Sequence, residues 1–224
     1  MAKGKLIVIE GLDGSGKATQ TQILLERLIN DGKIVNKISF PDYDKSSSVL
    51  VKMYLGGDFG KDADTVNPYV ASTFYAVDRV ASYLTTWQKD YLNGNIILAD
   101  RYTTSNAIYQ LSKVNSGEED AFINWLEDFE YNKLNIPKPD VVIYLDVEPK
   151  ISQKLIIDRY NGDNSKKDIH ESNLNFLLNC RKTALCVADK LDWQVIKCDD
   201  GQNIRPLNDI ANDIYDALKN LHII

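Results

Sequence analysis

Seven consecutive residues near the start of the chain, Gly11-Leu12-Asp13-Gly14-Ser15-Gly16-Lys17, interleave glycines with polar residues and end on a lysine. Their spacing is G-x-x-x-x-G-K, the core of a phosphate-binding P-loop. Glycines at these places let backbone N–H groups turn inward and wrap phosphate oxygens. A helix that begins here adds the positive end of its dipole. Lys17 is a mobile point charge that can reach the β- and γ-phosphates of a triphosphate. We therefore read Gly11, Leu12, Asp13, Gly14, Ser15, Gly16, Lys17, Ala18 and Thr19 as an ATP-binding stretch. One position departs from the full pattern. The Ser or Thr hydroxyl that would bind Mg²⁺ is absent at Ala18, and Thr19 comes one place later, about 100° further round a helix. Either Thr19 substitutes, or Mg²⁺ is held, directly or through water, by carboxylates such as Asp13 and Asp100. The second is favoured, because Mg²⁺ keeps several waters and needs few carboxylates beside substrate phosphates.

A second cluster runs Asp100-Arg101-Tyr102-Thr103-Thr104-Ser105-Asn106-Ala107-Ile108-Tyr109-Gln110, directly after the apolar run Ile96-Ile97-Leu98-Ala99. Ligands of open α/β sheets gather at the carboxyl ends of strands, so Asp100 and Arg101 are placed to face the phosphates. Arg101 can grip a phosphate with two parallel hydrogen bonds. Asn106 and Tyr109 are three apart and share a face if the stretch is helical. An Asn amide can read the edge of a base, and a Tyr ring can wall a sugar. In a third segment, Tyr75 and Arg79 are four apart, pairing an aromatic surface with a planar cation. That pair suits stacking on a base and bonding its carbonyl oxygen. Each has a plainer explanation: a buried tyrosine beside an exposed arginine, or an ion pair at a strand end.

These residues need a scaffold, and the apolar pattern supplies one. Leu6–Ile9, Ile34–Phe40, Ile96–Ala99 and Val141–Leu145 are short apolar runs of the kind buried on both faces of a parallel sheet, with Trp193–Cys198 a fifth. Helical patterns separate them at Thr19–Asn30, Tyr69–Tyr91, Glu118–Asn132, Leu174–Leu191 and Ile204–Leu221. Alternating strands and helices predict a doubly wound α/β fold with right-handed crossovers. Tyr160–Lys167 is polar and lacks periodicity, so it reads as a solvated loop or a mobile flap. No internal repeat is visible.

Composition excludes some classes. A net charge of −6 argues against bulk binding of nucleic acid while leaving room for a small phosphorylated substrate. Cys180, Cys186 and Cys198 lack the spacing of a zinc site and are odd in number, so they read as reduced thiols in or near the core. The N-terminus runs into a strand without a signal-peptide pattern, and no apolar run approaches the ~18 residues of a membrane span. The expectation is a soluble, cytoplasmic protein without membrane or nucleic-acid partners.

In order and spacing, these segments resemble the thymidylate kinase family, which makes dTDP from dTMP and ATP. The resemblance covers nearly the whole chain. It takes in Gly11 to Lys17, Phe40-Pro41, and Tyr75-Ala76-Val77-Asp78-Arg79, where the family more often has Phe first. It continues through Asp100-Arg101-Tyr102 with Ser105, Asn106 and Tyr109, then Leu145-Asp146-Val147, Asp168-Ile169-His170-Glu171, Phe176 and Arg181. The resemblance implies a three-layer α/β/α P-loop NTPase fold with a five-stranded parallel sheet and a short lid at about 159–168, all within one domain spanning 1–224. It implies phosphorylation of dTMP with Mg²⁺ and ATP, feeding dTTP synthesis for DNA replication, by a cytoplasmic homodimer.

The family roles map residue by residue. Lys17, Arg101, Asp13 and Arg159 form the implied catalytic set, with Asp13 near the sugar 3′-hydroxyl and the metal and Arg101 on the monophosphate. Tyr75 would stack on thymine, with Arg79 on its carbonyl edge and Asn106 on its polar edge. Tyr109 would crowd the 2′ position, with Glu171 at the same corner. Asp42 stands where relatives carry a basic or acidic-basic pair, and Tyr43 takes part of that role. Gly14 replaces a P-loop arginine, so the lid should supply the transition-state cation from Arg159, Lys166 or Lys167. Two other functions compete: a nucleotide or nucleoside kinase of different specificity, and a non-catalytic ATP-dependent switch suggested by Ala18 and the sparse lid.

Overall fold

The five apolar runs form five strands in the computed structural model, which describes residues 3–159, 170 and 173–224. They are β1 (Leu6–Gly11), β2 (Val35–Ser39), β3 (Ile96–Asp100), β4 (Val141–Asp146) and β5 (Gln194–Lys197). Among the described residues they make one sheet, in the order β2-β3-β1-β4-β5, with every neighbouring pair parallel. Every residue of β1, β3 and β4 is buried. Successive side chains point to opposite faces, which explains why these runs are apolar throughout and do not alternate. Leu6, Val8, Ile97, Ala99, Val142 and Tyr144 enter one core, while Ile7, Ile9, Leu98, Ile143 and Leu145 enter the other. Each fully buried aliphatic contributes roughly 1.5–3 kcal/mol, so the central strands anchor the fold. The edge strands β2 and β5 are only partly buried and mix polar residues with apolar ones.

Helices cover both faces. The helix α1 (Lys17–Asn30) supplies Leu24 and Leu28 to the second core. It lies beside a C-terminal helix, Leu207–Asn220, which supplies Ile210 and Ile214. The opposite face is covered by later segments. In the chain, between β2 and β3, come α2 (Val49–Leu55), α3 (Pro68–Ser82) and α4 (Gln88–Leu92), with a wide π-helical segment at Tyr83–Trp87. After β3 come α5 (Asn106–Tyr109) and α6 (Glu119–Glu127), the latter widening into a second π segment at Asp128–Lys133. Finally, α7 (Pro149–Arg159) and α8 (Leu174–Lys190) precede the C-terminal helix, α9. The sequence pattern predicts continuous helices over Tyr69–Tyr91 and Glu118–Asn132, and both are interrupted. Each π segment keeps its buried face, Tyr83 and Trp87 in one and Glu130 in the other, so periodicity alone does not reveal it. The last helix starts at Leu207; Ile204 instead pairs with Asp199 in an isolated bridge.

Strand register decides where the chemistry falls. Ile9 pairs with Asp100, Ser39 with Asp100, and Gly11 with Leu145. The glycine loop after β1, the Phe40-Pro41 segment after β2 and the Asp100-Arg101 turn after β3 therefore leave the sheet at one carboxyl edge, side by side. Of the three cysteines, all free, Cys180 and Cys198 are buried as expected. Cys186 is exposed, which corrects its assignment to the core region: it lies on the solvent side of α8.

Candidate active site

The glycine loop is shaped by left-handed glycines at 14 and 16. Gly16 takes the left-handed conformation (φ 84°) at the N-cap of α1, and no side chain caps the helix. The helix start keeps its N–H groups and its positive dipole end directed at the loop. The Ser15 hydroxyl is buried without a hydrogen-bond partner among the described residues. Gly14 has φ +76°, and a Cβ there would sit 2.5 Å from the Ser152 carbonyl oxygen of α7. That close approach explains why this loop carries no side chain, and hence no arginine, at position 14.

Lys17 is almost fully buried, and its Nζ donates to the Leu12 carbonyl at 2.8 Å. Burial and the neighbouring Arg101 charge push its pKa down to about 8, against the partial support of Asp13, Asp100 and Glu10. The amine is thus parked across the loop rather than extended. Ala18 and Thr19 are both exposed on the first turn of α1.

Arg101 follows β3 in a left-handed backbone conformation (φ 67°), an arrangement that costs a non-glycine residue about 1–2 kcal/mol. Its N–H still joins the sheet through the Ile9 carbonyl at 3.1 Å. Its guanidinium forms an ion pair with Asp13 and approaches the Tyr109 hydroxyl and the Gly11 carbonyl, each at 3.4 Å. Tyr109 donates to the other Asp13 oxygen at 2.9 Å. Burial works against the Asp13 carboxylate, but Arg101 and Lys17 outweigh it and hold its pKa well below the usual range. Burial, with the Asp13 charge, raises the Tyr109 phenol well above its ordinary value, so it remains a donor. Asp100 is buried at the end of β3, and its carboxylate forms no ion pair among the described residues.

A cavity of about 500 Å³, counting its open mouth, begins at these groups. It is lined by Asp13, Tyr43, Tyr75, Arg79, Arg101, Asn106 and Tyr109, all expected from sequence. Phe40, Pro41, Tyr102, Ser105, Gln110 and His170 complete the wall together with Leu55. Asn106 and Tyr109 share one face of α5, as their spacing predicts. Two expectations change. Arg79 is 1% exposed and Tyr75 only half-buried, which reverses the plainer explanation of that pair. Arg79 is also bound through Nε and Nη2 to Glu130. The side chain of Arg159, with Lys166, Lys167, Glu171 and the expected lid beyond the end of α7, lies outside the described residues.

Several contributors were missed. Glu10, completely buried in β1, accepts from Thr104 Oγ1 (2.6 Å), Ser105 Oγ (2.9 Å) and the Tyr102 N–H (3.2 Å). Its pKa is raised by burial, against the lowering effect of Arg101 and these hydroxyls. A lone charge in an apolar strand was the available signal. Gln110 is buried, and neither end of its amide has a partner among the described residues. As it lines the cavity, it can offer a donor and an acceptor to a ligand. His170 stacks on Tyr109 (5.4 Å, 11°) with its Nε2 3.1 Å from the Tyr54 hydroxyl.

Comparison with known proteins places these features in context. The family model described as thymidylate kinase matches residues 9–207. A thymidylate kinase of Ligilactobacillus salivarius is 29% identical over 221 residues, covering 97% of this chain and 99% of that protein. A thymidylate kinase of Mycobacterium tuberculosis is 31% identical over 148 residues, covering 66% and 68% respectively. The solved structure of thymidylate kinase from Candida albicans superposes with a TM-score of 0.72 at 21% identity, covering 100% of this chain and 94% of that one, a likeness of fold.

Proposed function

The chain belongs to the thymidylate kinase family, a nucleotide-binding transferase family, and from that premise we propose how its residues phosphorylate dTMP to dTDP with ATP. The observation that carries the proposal is the polarity of the cavity. Arg101 and Asp13 stand at the end beside the glycine loop, and Tyr75, Arg79, Asn106 and Gln110 line the remainder. The first end suits a phosphate and the second a base.

ATP binds with its phosphates against Gly11 to Thr19. Lys17 exchanges the Leu12 carbonyl for the β- and γ-phosphates. Arg101 releases part of its pairing with Asp13 to take the dTMP phosphate. A 5′-phosphate oxygen of dTMP then forms a bond to the γ-phosphorus as the bond from that phosphorus to the bridging β–γ oxygen breaks, leaving ADP. The phosphate is already a nucleophile at neutral pH, so the protein supplies position and positive charge and needs no strong base. Tyr75 stacks on the base, Arg79, Asn106 and Gln110 meet its polar edges, and Tyr109 walls the sugar. Tyr43 closes the open side. The family resemblance assigns further charge to Arg159 or a lysine of the lid, and a place near the sugar to Glu171, all outside the described residues.

The donor set fits Mg²⁺, a hard cation: Asp13 lies in the loop and Asp100 at the end of β3 beside it, and no cluster of three metal-ligating side chains exists among the described residues. A cation bound mainly through phosphates and water needs no such cluster. Asp100 and Asp13 would hold it directly or through water, and it would neutralise charge on the transferring group.

We read the chain as one domain, with one five-stranded sheet in support. No helix among the described residues is long and apolar enough to cross a membrane. Three free cysteines fit a cytoplasmic, reducing compartment. Val70, Val77 and Leu84, seven residues apart along α3 and its π extension, are all exposed and support a homodimer.

Arg101→Ala tests the assignment. Loss of a charged phosphate contact is worth roughly 2–5 kcal/mol, so kcat/KM for dTMP is expected to fall by about two orders of magnitude or more. Near-normal turnover and KM would sink it.

A further inference from the structure

Glu130 does not line the acceptor cavity, yet it touches three residues of its wall and frame. It is completely buried on the π segment that follows α6. Arg79 donates to it through Nε at 2.6 Å and through Nη2. Thr103 Oγ1 donates at 2.8 Å, and Asn106 Nδ2 approaches at 3.4 Å. Among the described residues Arg79 Nη1 approaches only the Tyr102 carbonyl, at 3.4 Å. Of the five N–H groups of a guanidinium, these bonds use three, leaving the remainder on a side chain that faces the cavity.

The consequence is electrostatic as well as geometric. A buried guanidinium without a counter-charge is costly, and it would draw an anion. Paired in a fork with Glu130, Arg79 becomes a neutral unit that still donates hydrogen bonds. Such a unit suits a carbonyl oxygen rather than a phosphate. At the other end of the cavity, Arg101 is paired with Asp13 and approaches the Gly11 carbonyl of the phosphate loop. Resting on the function proposed above, we infer that Glu130 is a positioning residue that selects the base: it cancels the Arg79 charge, fixes which Arg79 donors face the cavity, and holds Asn106 beside them. The nucleotide thereby has one orientation, phosphate toward Arg101 and carbonyl-bearing base toward Arg79. Glu130 touches neither substrate nor reacting atoms.

The test compares wild-type enzyme with Glu130→Gln, using Mg·ATP with dTMP and with dCMP, and records KM for ATP and the thermal midpoint. Gln keeps the shape and removes the charge. The preference for dTMP over dCMP, as a ratio of kcat/KM values, is expected to fall about ten-fold or more, chiefly through KM for dTMP, because the charged carboxylate holds the Arg79 donors more strongly than a neutral amide does. KM for ATP is expected to hold. Inorganic sulfate, competing with dTMP, is expected to inhibit the variant more strongly than the wild type, since the base end now attracts anions. An unchanged ratio, or an equal loss with both acceptors and with ATP, would overturn the inference and leave Glu130 as a structural brace. Should Glu130→Gln fail to fold, Glu130→Asp is read instead. It keeps the charge but withdraws it by one methylene, and its dTMP over dCMP ratio is expected to fall below that of the wild type; a ratio equal to wild type overturns the proposal equally. Wild-type enzyme that does not phosphorylate dTMP would refute the proposed function itself, independently of either variant.

Discussion

Arg101 spends backbone energy to reach its place, and the residues after it are tied down to keep it there. Its left-handed turn is followed by Tyr102, Thr104 and Ser105, which all bond Glu10, and by Thr103, which bonds Glu130. The acceptor turn thus hangs between two buried carboxylates, one on β1 and one on the π segment. His170 contributes differently, as a buried ring packed on Tyr109, Phe176 and Tyr54. Burial pushes its pKa down to about 3, below an unfolded value near 6.5. With the folded value below the unfolded one, the unfolded chain takes up a proton first as the pH drops. The stability that His170 contributes as a neutral ring is therefore complete above pH 6.5 and is lost progressively toward pH 3. Unfolding free energies measured from pH 7 to 4 are expected to fall more steeply for wild type than for His170→Phe, by up to about 1.4 kcal/mol per pH unit. Parallel slopes would contradict the burial of a neutral imidazole.

At the scale of elements, α3 serves two surfaces. One face buries Arg79 toward Glu130 and presents Tyr75 to the cavity, while the other exposes Val77 at 52%, with Val70 at 47% and Leu84 at 61% in line with it. Val77→Glu places a charge in the middle of that stripe. Sedimentation is expected to show a dimer for wild type and a monomer for the variant at micromolar concentration; a monomeric wild type would refute the homodimer. The strands were legible because central parallel strands are apolar on both faces, and the runs at Leu6, Ile96 and Val141 say so directly. Helices α2 and α7 were not, since α2 exposes Val49 and Leu50 and α7 carries no strong apolar stripe. The π segments escaped because they preserve the buried side of the helices they extend. Among site residues, those read from local spacing came together as expected: Tyr75 with Arg79, and Asn106 with Tyr109. Glu10 and Glu130 did not announce their partners, which lie 92–95 and 24–51 residues away, distances that no local periodicity reports.

The whole molecule works as a single carboxyl edge with two ends. Parallel register brings the loops after β1, β2 and β3 together, so the glycine loop, Arg101 and an aromatic wall meet without being near in sequence. Their charges run from Lys17 and Arg101 at the cradle to a neutralised Arg79 at the far end. The departures at Ala18 and Gly14 fit the function proposed above, in which the loop offers backbone and one lysine and the remaining charge is assigned to residues across the cavity. The account rests on that directionality, and acceptor choice reads it out. Product formation with Mg·ATP and, separately, dTMP, dUMP, dCMP and thymidine measures it in one assay. Rapid ADP and dTDP formation with dTMP, clearly ahead of dCMP and with thymidine inert for want of a phosphate to grip, is the expected result. Equal rates with dCMP and dTMP, or ATP binding without acceptor-stimulated ADP release, would contradict it.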